Sequence, residues 1–120
     1  MEDSLGTVTI HPSVLVTVAR LTALATPGVV RLGERWHLDV SRVLSSQSHS
    51  GGNGVDVFVS DENVVTVDLE VVAEPGSRLV QLGETLQTEV RRAINEIVGM
   101  DVAVVNVYIL DVDCPIAEAC

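Results

Sequence analysis

Chemistry in a short chain needs a reactive group and a neighbour that activates it. In this 120-residue sequence the first places to look are 3 histidines, 2 cysteines and 17 acidic residues. His11, His37 and His49 stand far apart, and no two of them have the i, i+4 or short-loop spacing that metal ligation favours, so no metal site is expected. His11 directly precedes Pro12 and reads as a helix-entry residue whose polar side chain can help satisfy free N–H groups. His49 falls in a Ser/Gly stretch and reads as solvated. A nucleophile would need a Ser or Cys, a His base and an acid fixed by a rigid scaffold. The serines cluster in residues 45–54, and Cys114 and Cys120 occupy the tail at a C-x5-C spacing that fits neither a zinc knuckle nor a C-x-x-C redox pair. The thiols read as reduced, with a local bridge or an intermolecular pairing left as alternatives, and no catalytic triad is expected.

Carboxylate pairs are plentiful: Asp61/Glu62, Asp68/Glu70 and Asp111/Asp113. Strand alternation puts Asp68 and Glu70 on one face, where they read as solvated sheet residues. Gly51-Gly52-Asn53-Gly54 could cradle a phosphate through its N–H groups, but it precedes a strand rather than a helix. The seven basic residues are all Arg. Without lysine there is no Walker loop, no Schiff base and no lysine general base. The expectation is a chain that is not an enzyme and takes no cofactor.

What must hold these residues in place is one domain, residues 1–113, followed by a tail, 114–120. Apolar residues make up 47% of the sequence, yet Trp36, Phe58 and Tyr108 are its only aromatics, so the core must be built from Val, Leu, Ile and Ala. A valine-rich interior favours strands. The net charge of −10 argues against non-specific nucleic-acid binding, which needs clustered cations to displace counterions, and against direct docking on an anionic membrane. No apolar run approaches the roughly 18 to 20 residues that span a bilayer, and Met1-Glu2-Asp3-Ser4 lacks the basic start of a signal peptide. A cytoplasmic protein without direct membrane insertion is expected.

Hydrophobic periodicity places the elements. Residues 7–10 alternate as a short strand, and Pro12 opens a helix whose apolar face is Val14, Leu15, Val18, Leu21, Leu24 and Ala25. Thr26-Pro27-Gly28 stops it. Between Arg31 and Arg42, Leu32, Trp36, Val40 and Val43 would line one side of a short linker helix. Residues 45–54 hold no apolar side chain and read as a mobile Ser/Gly loop. Val55, Val57 and Val59 then alternate with polar residues, Asp61-Glu62-Asn63 supplies a turn, and a return strand runs 64–74. Ser77 is the expected N-cap of the longest helix, with the stripe Leu79, Leu82, Leu86, Val90, Ala93, Ile94 and Ile97 and with Gly99 at its end. The last strand, 101–112, is so apolar that it reads as central and covered on both sides, or as paired at an interface. The order βαββαβ, with the extra linker helix, gives an α+β two-layer sandwich. Its leading topology is ferredoxin-like, with another route across residues 28–53 left open.

Three stretches resemble a known family. Val8-Thr9-Ile10-His11-Pro12-Ser13-Val14-Leu15 followed by Thr26-Pro27-Gly28-Val29, then Val64-Val65-Thr66-Val67-Asp68-Leu69, then Val98-Gly99-Met100-Asp101-Val102 leading into Val105-Asn106-Val107-Tyr108-Ile109 are similar in order and spacing to the alkaline shock protein family, also called the Gls-type envelope stress response family of bacteria. The resemblance implies a small cytosolic domain without known enzymatic activity, associated with envelope stress, able to self-associate, and brought to the membrane by a membrane-anchored protein partner. It offers no catalytic residues to carry over. The chain departs from the family pattern at Ser13, where an acidic residue is usual, and in its missing lysine, its Trp-containing basic linker and its Cys tail.

Function is therefore expected to lie on surfaces. Residues 61–74 hold five acids and residues 101–120 four, with no base in either, whereas Arg31, Arg35 and Arg42 face only Glu34 and Asp39 in the linker. Such segregation can steer partners or set register between subunits. The apolar last strand adds Val105, Val107 and Ile109, which with Trp36, Arg31, Arg35 and Arg42 form the candidate interaction surface. A non-catalytic, self-associating adaptor of the envelope stress response is the leading expectation, with a homo-oligomer as its simplest form. The alternative is a ferredoxin-like sensory module holding a small molecule in a closed pocket.

Overall fold

Pro12 starts the first element as the sequence requires: its fixed φ and missing N–H suit the first helical position, and helix α1 runs Pro12–Ala25. The computed structural model describes residues 5–33, 48–52 and 54–113. After α1 come β1 (Val29–Leu32), β2 (Ser48–Gly52), β3 (Val55–Val59), β4 (Val65–Ala73), helix α2 (Leu79–Ala93) with a final π-helical turn (Ile94–Val98), and β5 (Val102–Val112). The α+β two-layer class holds, with both helices on one face of a five-stranded sheet.

β4 organises the sheet. Its whole length pairs in parallel with β5 on one side, while on the other side β3 covers 65–69 and β1 covers 71–73, both antiparallel. β2 pairs beyond β3. β1 and β3 thus meet end to end at Glu70, whose carbonyl accepts from the Gly33 N–H at 2.7 Å and whose N–H donates to the Gly54 carbonyl at 2.8 Å. Only glycine fits this junction. Gly54 has φ +89°, and a Cβ there would stand 2.7 Å from the Gly33 carbonyl oxygen.

The core is the helix-facing side of the sheet, with Val55, Val57, Val65, Val67, Leu69, Val71, Ala73, Val102 and Val105 under Leu15, Ala19 and Ala23 of α1 and Leu82, Leu86, Val90 and Ile94 of α2. Gly99 ends the long helix with φ +85°, its N–H returning to the carbonyls of Ile94 and Asn95.

Several expectations are corrected. Residues 7–10 form no strand, so of two expected βαβ units only β4–α2–β5 is built, and the described order begins with a helix. Arg31 and Leu32 belong to β1, not to a linker helix, and the rest of that segment, 34–43, lies outside the described residues. Ser48–Gly52, read as loop, is a strand, at the edge of the sheet among the described residues: its backbone pairs with β3, which needs no apolar side chain. The α1 face differs as well. Val14, Leu21 and Leu24 are exposed, because α1 is apolar almost all round and the small Ala19 and Ala23 allow the close approach to the sheet. Leu79 and Ile97 of the α2 stripe are exposed too. Its N-cap is Arg78 rather than Ser77, and no side chain caps it. Finally, among the described residues β5 is an edge strand and β4 the central one, with every residue from Leu69 to Ala73 buried.

Candidate interaction surface

β5 carries two irregularities that decide what it shows to solvent. Val65 pairs with Val102 but Thr66 with Val104, so a bulge at Ala103 shifts the alternation by one residue. Val102 and Val105, an odd number of residues apart, consequently both point into the core at 6% and 4% exposure. Val107 and Ile109 follow them inward and pack against the core. The outward face is instead made of Val104, Tyr108 and Leu110, exposed by 43, 50 and 38%; past a second irregularity Val112 stands opposite Ala73, on the other face. This corrects the expected surface: Val105 is buried and Val107 and Ile109 are half-buried, so none of the three leads the exposed face. Strict alternation counted from Val102 could not locate the bulge.

The outer edge of β5 is partly closed by α2. Gln87 and Arg91, one helical turn apart, donate to the carbonyls of Val105 at 3.1 Å and Ala103 at 3.4 Å. Near the other end, the Val112 N–H donates to the carboxylate of Asp111 at 2.8 Å.

On the sheet face away from the helices stand Asp56, Phe58, Thr66, Asp68, Glu70 and Val72. Asp68 and Glu70 share that face as expected, but they are not simply solvated. Glu70 is 5% and Asp56 8% exposed, and half-buried Asp68 accepts a hydrogen bond from the Asn106 amide at 2.9 Å. Arg31 is half exposed and forms an ion pair with Asp113 at 3.1 Å, joining β1 to the residue after β5. Trp36, Arg35 and Arg42, and with them His37 and both cysteines, lie outside the described residues. His11 is the N-cap of α1, as its place before Pro12 implied, but its side chain makes no capping bond. His49 lies in β2.

Among the described residues no three His, Cys, Asp or Glu side chains come together in a way that could hold a metal ion. A groove of about 490 Å³ lies where the start of α1 meets the β3–β4 turn and residues 99–101. Its lining is mostly apolar, and its two polar side chains, Asn63 and Asp101, are both exposed. Asp101 is occupied by the Asn95 amide at 2.9 Å. Such a groove lacks the convergent buried polar groups of a small-molecule site. No described helix is long and apolar enough to cross a membrane.

The model of one protein family, the alkaline shock protein 23 family, described by its cell envelope-related function, matches residues 1–114. No curated protein and no solved structure matches the chain.

Proposed function

Since the chain belongs to the alkaline shock protein family, with its cell envelope-related function, we propose that it is a non-catalytic, self-associating adaptor that works through protein contacts near the membrane. The observation that carries this reading is the outward face of β5. Three large apolar side chains, Val104, Tyr108 and Leu110, in one strand, on a chain of net charge −10, form a surface whose burial against protein is favourable. Membrane proximity then comes from a membrane-anchored protein rather than from this chain, which keeps its own position cytoplasmic.

Cross-linking in cells under envelope stress, followed by purification of the chain, tests the reading. Recovery of additional copies of the chain together with a membrane-anchored protein supports it. Recovery of the chain alone, as a monomer, overturns it. A small metabolite that raises the melting temperature specifically would move the assignment to a sensory module.

A further inference from the structure

Among the described residues β5 has one neighbour, β4, so its other edge should present a row of backbone groups, a template for a further strand. Two seals shorten that row. In a parallel ladder the residues that turn N–H and C=O to one side alternate with those that turn them to the other. The carbonyls of Ala103 and Val105, held by Arg91 and Gln87, identify the odd-numbered residues of this stretch as the outward set. At the far end, past a second irregularity between Ile109 and Asp111, the Val112 N–H is taken by the Asp111 carboxylate. Between the seals Val107 and Ile109 each keep an outward N–H and C=O with no protein partner among the described residues.

This short window has a particular symmetry. Val107 and Ile109 flank Tyr108 by one residue on either side. An antiparallel strand crossing with Tyr108 at its centre would place Val107 opposite Ile109, and such a directly opposed pair exchanges both of its hydrogen bonds. A second copy of β5, related by a twofold axis through Tyr108, therefore satisfies these four groups on each strand. Beyond them the ladder is cut short on both sides, because the Val105 carbonyl and the Val112 N–H are already taken. The same axis brings the two Tyr108 side chains, half exposed on the outward face, to directly opposed positions with Cα atoms about 4.5 Å apart. Leu110 of each copy lies next to them. The only charged residue within this stretch, Asp111, faces Val105 of the other copy rather than a second acid, so no like charges oppose.

We propose that this chain dimerises by antiparallel β5–β5 pairing across a twofold axis at Tyr108, joining two sheets into one. The proposal rests on the self-association in the reading above and names its surface. A foreign strand could also use the edge, but the coincidence of seals and symmetry selects a second copy.

Tyr108 is the only tyrosine of the chain, so a dityrosine link can form only between two Tyr108 residues. Brief illumination with a ruthenium photosensitiser and persulfate, which accepts the two electrons as the rings join through a carbon–carbon bond, should give a covalent dimer with dityrosine fluorescence. Tyr108→Phe should associate normally and give no link. Tyr108→Arg, which sets two cations on the axis, should weaken association at least about tenfold by sedimentation. In the unaltered chain the amides of Val107 and Ile109 should exchange more slowly as protein concentration rises. An oligomer in sedimentation without the dityrosine product, or without concentration-dependent protection at these two amides, overturns this interface while leaving self-association standing. A monomer at every concentration overturns both.

Discussion

Two glycines with nearly the same φ separate the cost of a left-handed residue from the cost of lost space. Gly54 and Gly76 have φ of +89° and +88°, but a Cβ on Gly76 meets nothing within 4 Å, whereas on Gly54 it would strike the Gly33 backbone and the Leu32 side chain. Gly76→Ala should lose about 1 kcal/mol, the left-handed penalty alone. Gly54→Ala should lose about 2 to 4 kcal/mol, because the backbone neighbours cannot rotate away. Urea unfolding of the two variants checks the difference, and equal losses would mean that the β1–β3 junction opens easily. At Val105 the bulge turns a residue expected at the surface into core. Val105→Arg should accordingly unfold the domain, with a loss above about 3 kcal/mol, since the charge would be buried without a partner. Circular dichroism at low protein concentration distinguishes this from dissociation: retained structure in a monomer would return Val105 to the surface.

At the scale of elements, α2 is the clearest case of agreement between pattern and structure. Leu82, Leu86, Val90 and Ile94 recur at helical spacing among charged neighbours, so only one face can turn inward, and it does. Leu86→Ala should cost about 2 to 5 kcal/mol through the cavity it leaves, while Ile97→Ala, 70% exposed beyond that stripe, should stay within about 0.5 kcal/mol. Thermal unfolding of the pair gives the contrast. The β3–β4 hairpin was equally readable from its valine alternation and the Asp61-Glu62-Asn63 turn. Where pattern failed, the cause is physical in each case. α1 has apolar residues on nearly every side, so periodicity does not select a face. β2 joins the sheet by backbone pairing with β3, which side-chain types do not announce. Val8 and Ile10 have the β-branched character of a strand but pair with no strand among the described residues, and strand propensity without a partner builds nothing. On the candidate surface, the apolar abundance of β5 was evident, but which residues face outward depended on a bulge.

The whole molecule sets charge against association. Each copy carries −10, so two copies repel at long range while apolar and backbone contacts act only at short range. Raising NaCl from about 0.05 M to about 0.5 M should therefore tighten self-association, the reverse of an assembly held by opposite charges. Sedimentation equilibrium at the two salt concentrations measures it, and weakening by salt would point to ion pairs as the main contact. Finally, the glycine junction at Glu70 protects the fidelity of folding itself. A hydrophobic pattern rejects a one-residue strand slip, which turns every side chain over, but it is blind to a slip of two, which preserves inside and outside. Were β3 to slip by two residues so that Asp56 stood where Gly54 stands, its side chain would collide with the Gly33 backbone. In that direction the close meeting of β1 and β3 acts as a stop, rejecting an alignment that burial alone would accept.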